Sequence, residues 1–496
     1  MSGASLDPWI PVLVGIGIAT QREDDPARAK EPIDLMLAAV RNAGADALPS
    51  PAALLAGVGR IAVPKGRWRY QNPGGEIARA IAAERAVSVF ASVGVLQQTL
   101  IGDACRAIAE GEADTTLVVG GDAGYRILRA IINGVRAEER QQHDAPQLTL
   151  SPKDELRHPA ELRAGIKMPV GLYAIIESAY RAKNGWSVAS HRDRLARMYS
   201  RFSEIGAANP SAWNRKRIDA DTIRNPSERN AMQAFPYTKL HCSTWNVDQA
   251  GALLFCSVKR ADELGIAHEK RVYPLASTES NHMAAVVTRA DIAACPGAGI
   301  AGRAALDAAE LSLADVDLVE LYTCFPVAVE TYAAELGLSV ERDLTVTGSM
   351  AFAGGPYNNY VLQATCRMAE LLRQGRGRYG LVSSVSGVLT KQGFGLWSTQ
   401  PGPKGFVLHD VSESVARRVG TKPIVNPSGG EGVVAGYTVL YERSQPPRGV
   451  VAADVEGARA VVQTQDAALV AQMEAVEFCG ARIRLGEGGT FALQKT

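Results

Sequence analysis

The chain has 496 residues, 46% of them hydrophobic and 21% charged, with a net charge of +1; it is long enough for more than one domain and a large core. A charge so close to zero gives no sign of a nucleic-acid footprint or of an electrostatic hold on anionic membranes. No apolar run reaches the roughly 18 residues that span a bilayer, and seven cysteines without a CxxC pair argue against zinc and against a disulfide framework. The first residues, MSGASLDPWIPVLVGIGIA, lack a basic stretch ahead of the apolar part. They read as a first strand rather than a signal peptide, and a cytoplasmic metabolic protein is expected.

Ile10 to Ile18 is a short apolar run with alternating glycines, a buried strand. Pro32 to Ala43 has helical periodicity, Val58 to Val63 and Val87 to Val93 read as strands, and Gly94 opens a buried helix to Ala109. Thr115 to Val119 is a strand ending in Gly120-Gly121. The second half repeats this order. Val272 to Ala276 is a strand, Ile300 to Ala309 a small-residue helix, and Leu318 to Tyr322 and Thr345 to Thr347 strands. Tyr360 to Leu372 is a buried helix and Leu381 to Val385 a strand ending in Ser386-Gly387. Such a repeat means two similar α/β halves packed together.

Residues from about Asp122 to Tyr237 interrupt the first half with helical pieces, Val170 to Lys183 and Ser190 to Phe202 among them. QPGPK, from Gln400 to Lys404, marks a linker. Beyond it, VVAGYTVLYER, RGVVAADVEG, RAVVQTQD and ARIRLGEGGTFAL are short β-rich runs, read as a small antiparallel barrel or sandwich.

The organising stretch is Thr345 to Tyr360, TVTGSMAFAGGPYNNY. Its glycines, Gly354 and Gly355 among them, let backbone approach a ligand or take positive φ, and Asn358 or Asn359 suits the N-cap of the next helix. A plain strand-to-helix turn accounts for the same residue types.

With GEADTTLVVGG, STWNVDQAGALLFCSVKRADELG and VELYTCFPVAVE added to that stretch, the chain resembles the thiolase superfamily along most of residues 8 to 400. It is most similar to the thiolase-like, sterol-carrier-type branch with an extra C-terminal domain. The resemblance implies a five-layered αβαβα core of two βαβαββ halves with the active site where they meet. The N-terminal half would comprise residues 8–122 and 238–268, an inserted loop domain on the CoA-binding side 123–237, the C-terminal half 269–400, and a β-rich, oligonucleotide-binding-like domain 405–496. It also implies CoA or an acyl-CoA as substrate or ligand, no other cofactor, no metal, a place in lipid metabolism, and a homodimer unless the extra domain keeps the chain monomeric.

Several family positions are filled differently. The nucleophilic cysteine at the N-terminus of the first buried helix, where the dipole favours a thiolate, falls near Gly94 in ASVGVLQQ. Cys105 lies about three turns further on and reads as core. The Gly-His-Pro motif becomes Gly354-Gly355-Pro356, and Cys-x-Gly becomes Val385-Ser386-Gly387. The His-Asp-Cys-Phe of the sterol-carrier type reads Tyr322-Thr323-Cys324-Phe325, so Cys324 keeps an acid/base position, or is simply a small buried residue. Tyr322 replaces the histidine; with an unperturbed pKa near 10 a phenol donates hydrogen bonds and serves as a base only if that pKa falls.

Three readings follow from the resemblance. The first is an acyltransferase of the acetyl-CoA acetyltransferase type that lacks the nucleophile. The second is a retro-aldol lyase acting on β-hydroxyacyl-CoA through Tyr322 and Tyr357, and the third a non-catalytic acyl-CoA binder. His282 is a titrating group for the cleft or a surface-loop histidine. Asn246 borders the family's pocket, Asp248 pins a backbone turn, and Asn358 is placed to donate to a thioester oxygen.

Overall fold

The computed structural model describes residues 6–426, 429–443 and 445–494. The first sheet has the order β1-β8-β4-β2-β3-β5, formed by β1 (Pro11–Gln21), β2 (Arg60–Pro64), β3 (Val87–Ala91), β4 (Thr115–Ala123), β5 (Leu148–Leu150) and β8 (Asp248–Ser257). The alternating glycines of β1 have a packing cause: a Cβ on Gly17 would lie 1.9 Å from the carbonyl oxygen of Ala39, so the Pro32–Ala47 helix rests directly on the strand. The second sheet has the order β10-β11-β12-β9-β13, from β9 (Tyr273–Ser280), β10 (Leu318–Glu320), β11 (Tyr379–Ser386), β12 (Lys391–Ser398) and β13 (Val407–Asp410).

The duplication is visible in the pairing. β2 runs parallel to β4, β4 antiparallel to β8 and β8 antiparallel to β1. Likewise β10 runs parallel to β11, β11 antiparallel to β12 and β12 antiparallel to β9. The helices Gln97–Ala109 and Tyr360–Arg373 lie between the sheets, each touching strands of both halves, and the Pro32–Ala47 and Pro296–Ala308 helices cover the outer faces. This is the five-layered α/β arrangement the resemblance implies.

Two local expectations fail. Thr345 to Thr347 is not a strand. The N–H groups of Val346 and Thr347 donate to the buried carboxylate of Glu320 at 2.7 and 2.9 Å, and Thr345 Oγ1 donates to it at 3.0 Å, so the donors a ladder needs are spent. The first buried helix begins at Gln97 rather than Gly94, because Gly94 sits in the left-handed region at φ +103°.

In the C-terminal region β14 (Glu431–Leu440), β15 (Arg448–Val455), β16 (Ala458–Thr464), β18 (Thr490–Leu493) and β17 (Arg482–Gly486) pair in turn, and β17 returns to β14, closing a five-stranded barrel. Tyr437, Val451, Val462, Met473, Phe478 and Phe491 fill it. The segment between the halves contributes β6 (Met232–Ala234) and β7 (Tyr237–Thr238), which extend this sheet through the Ala234–Leu440 pair, while β5 from the same segment covers the edge of the first sheet. Buried Arg181 fastens the segment to the barrel, donating to Glu477 at 2.8 Å and to the Tyr437 hydroxyl at 2.7 Å. No helix of the described residues is long and apolar enough to cross a membrane.

Candidate functional site

The two buried helices present their N-termini to one cleft between the halves. The second helix is capped from the first. Asn359 holds its N-cap position, but its side chain is buried without a hydrogen-bond partner, and the Val361 N–H donates instead to Gln97 Oε1 at 2.7 Å. The expected asparagine cap is therefore supplied by a glutamine of the other half. Asn358 takes a left-handed φ of 54° and donates from Nδ2 to the Lys65 carbonyl at 3.1 Å, with Gln97 Nε2 3.5 Å from its Oδ1.

Tyr322 follows β10 into this cleft. Its N–H donates to Ser383 Oγ at 2.8 Å and its ring meets Tyr360 edge-on, with centroids 5.7 Å apart. Burial pushes the phenol well above its ordinary range and the Cys324 thiol adds to this, while the Gln97 amide, close enough to donate to it, pulls the other way. Tyr322 is thus a neutral donor rather than a base. Cys324 is buried, its thiol is pushed up to about 12 by burial, and the Tyr173 hydroxyl points at it. Cys105 is fully buried, with its thiol driven up by burial.

Tyr357 is half-buried and its N–H donates to Asp122; its phenol is raised by burial, lowered by Arg67 and raised again by Asp122. Arg67 pairs with Asp122 at 2.7 Å, and its Nη1 lies 3.5 Å from Asn246 Oδ1. This basic-loop cluster brings Tyr357, Asn246 and Asn358 to one side of the cleft. Asp248 pins a turn, accepting from the N–H groups of Tyr125 at 2.8 Å and Arg126 at 3.0 Å.

Gly354 and Gly355 line the loop where backbone approaches closely. A Cβ on Gly354, at φ +99°, would sit 2.2 Å from Gln249 Oε1, and one on Gly355 would sit 2.9 Å from Met350 Cε. At the other side of the cleft the Gly94 carbonyl accepts from Ser386 Oγ at 3.2 Å and from Lys391 Nζ at 2.5 Å. Lys391 is 3% exposed; burial lowers its pKa while Glu279 and Asp154 oppose the shift. His282 belongs to this side. Its carbonyl accepts from Thr390 Oγ1 at 3.3 Å, its half-buried ring is lowered by burial, and Asp154 pulls it upward. Gln97 and Lys391 escape sequence reading because each acts across the junction of the halves. The only local signals are two glutamines opening a buried helix and a lysine opening an apolar strand.

A second titratable cluster lies away from the cleft. His191 Nε2 is 2.6 Å from Glu177 Oε1 and 3.9 Å from Glu330 Oε2, with all three side chains buried. Burial raises Glu177 to about 7 and Glu330 to about 8, and lowers His191 to about 4. Their ligand atoms lie within 4.8 Å of one another, as an ion site requires. The short His191–Glu177 hydrogen bond and the Tyr237 hydroxyl, which donates to Glu177 at 2.5 Å, instead describe a proton-sharing knot.

No family model matches the chain. Its fold is similar to that of a monomeric SCP2-thiolase like protein type 1 from Mycobacterium smegmatis, with a TM-score of 0.82 and 26% identity over 99% of this chain and 100% of that one. An acetyl-CoA acetyltransferase of Methanothermobacter thermautotrophicus is 28% identical over 195 residues, 39% of this chain and 46% of the relative. One of Methanocaldococcus jannaschii is 26% identical over 174 residues, 34% of this chain and 40% of the relative. The matches thus span less than half the length of these two curated relatives. Two duplicated α/β halves enclosing a pair of buried helices define the thiolase class of fold. The chain has the fold of the thiolase superfamily and is similar over its full length to an SCP2-thiolase-like protein.

Proposed function

We propose that the cleft binds CoA or an acyl-CoA, as an acyltransferase-related protein of lipid metabolism without cysteine-based thiolase turnover. The observation that carries this reading is the convergence of neutral donors, the Tyr322 phenol and the Gln97 and Asn358 amides, where the halves meet. Neutral donors stabilise a thioester or enolate oxygen without supplying a nucleophile. Gly94 stands near the family's nucleophile position, and burial pushes the thiol of Cys324 up to about 12. At pH 8 Cys324 therefore reacts with iodoacetamide at least about a hundredfold more slowly than a free thiol; labelling at an ordinary rate, read by mass spectrometry, contradicts its inert role.

The direct test is calorimetric titration with CoA and with a short and a long acyl-CoA. Micromolar binding that discriminates between acyl chains supports the assignment, and absence of binding to all three removes it. A second reading, retro-aldol cleavage of β-hydroxyacyl-CoA, is favoured by one feature: Tyr357 lies near enough to Tyr322 to raise its phenol further. Both phenols are raised, so a neutral phenol would pass its proton to the enolate as the C–C bond breaks and take the β-hydroxyl proton in its place, which leaves the residue unchanged. Tyr322→Phe then abolishes cleavage while acyl-CoA still binds; cleavage at the parental rate eliminates the lyase. The first sheet ends in a strand of only three residues, β5, which leaves little ladder for a second copy to pair with and supports a monomer, as light scattering would report.

A further inference from the structure

Behind the hairpin that joins β11 to β12 lies a pocket of about 170 Å³ outside the cleft. Gly387, Val388 and Leu389 run consecutively through the left-handed region, at φ of 59°, 55° and 64°. A β-branched residue rarely holds that conformation unless its surroundings impose it. Here they do. Arg289 donates to the carbonyls of Ala284, at 3.1 Å, and Val388, while Gln392 Nε2 and Cys295 Sγ donate to the Leu389 carbonyl at 2.9 and 3.2 Å.

The pocket is lined by Arg289, Asp291, Gly297, Thr390, Gln392 and Arg418, at the N-terminus of the 13-residue Pro296–Ala308 helix. Two guanidinium groups and a helix N-terminus make it electropositive. Arg418 pairs with no carboxylate among the described residues. The one lining carboxylate, Asp291, is already matched by Lys183 at 2.9 Å and by the Ala293 N–H at 2.9 Å. Gln392 supplies an independent sign of a ligand. It is 2% exposed, and its Nε2 is committed to Leu389 and Cys295, which fixes the amide orientation. Its Oε1 has no partner and lies against Gly297, 2.2 Å from where a Cβ would be. A buried acceptor left unpaired is costly, so the pocket offers cationic donors together with one acceptor that needs a donor.

We propose that this pocket binds a small oxyanion carrying its own hydroxyl, the oxygens facing Arg418, Arg289 and the helix N-terminus and the hydroxyl donating to Gln392 Oε1. Hydrogen phosphate and a 2-hydroxycarboxylate share this chemistry. The full chain in chloride buffer is titrated calorimetrically with inorganic phosphate and glycolate, and with sulfate and acetate as counterparts lacking the hydroxyl. The expected result is saturable binding of phosphate or glycolate about tenfold tighter than its counterpart, the effect of one hydrogen bond. Whichever of the two binds identifies the source. Arg418→Ala, at an exposed position, weakens binding about tenfold, and Gln392→Met erases the preference for the hydroxyl. The proposal is overturned if neither ligand binds, if sulfate and acetate bind equally well, or if Arg418→Ala changes nothing.

Discussion

At the start of the Tyr360–Arg373 helix a buried carboxylate, Glu320, gathers the loop that leads into it. Glu320 takes the N–H groups of Val346 and Thr347 and the hydroxyls of Thr345 and Tyr360, and the helix cap comes from Gln97. At the start of the Gln97–Ala109 helix no carboxylate among the described residues plays that part. Gln98 Oε1 is unpartnered, and Lys391, its pKa lowered by burial, rests on a single backbone carbonyl. The duplicated halves thus finish alike in backbone and unlike in chemistry. One end is built around a buried carboxylate that gathers donors and the other around a buried lysine that presents them, so a fixed loop and a cationic group face one cleft.

Removing the carboxylate has the largest expected effect. Glu320→Ala leaves the Val346 N–H buried without an acceptor and strips the Thr347 N–H and three hydroxyls of their shared one, a loss of about 3 kcal/mol. Urea unfolding measures it, and a cost below about 1 kcal/mol means the network is not what holds the loop. Gln97→Ala removes a cap in trans and costs about 1–2 kcal/mol; unchanged stability would return the capping role to Asn359. The third prediction concerns pH and the knot outside the cleft. Glu177 and Glu330, with folded pKa values of about 7 and 8, hold protons that the unfolded chain has released above its ordinary carboxyl range. Their contribution is complete below that range and is lost as pH rises through 7 and 8. His191, lowered to about 4, opposes this trend only below its ordinary value near 6.5. Melting temperature therefore falls between about pH 6.5 and 8, and Glu330→Gln flattens that fall. An identical slope in the variant separates the knot from the pH response.

Much of the fold was legible. Apolar runs bounded by glycine marked the strands, helical periodicity marked Pro169–Lys183 and Val188–Ala208, and four short β-rich runs marked what is a barrel of five strands. What escaped depends on partners distant in sequence. Thr345 to Thr347 has strand composition, but Glu320 is 27 residues from Thr347 and claims its N–H. Asn359 has the residue type of a cap, yet the bond is made by Gln97, 264 residues from its donor Val361. β5 and β7, of three and two residues, are too short for periodicity to register. Within the candidate site, Tyr322, Tyr357 and Asn358 were visible as motif residues, while Lys391 became visible only once the hairpin was seen folded onto Gly94.

The sheet shared by β6–β7 and the barrel makes the C-terminal region a poor candidate for modular excision. Shortening the chain near Gln400 would strip β14 from Ala234 and strand the Arg181 guanidinium in the interior without Glu477 or Tyr437. Interchange of this barrel between related proteins would therefore have to carry the Met232–Thr238 hairpin with it. The two segments form one unit of inheritance although nearly two hundred residues separate them in the chain.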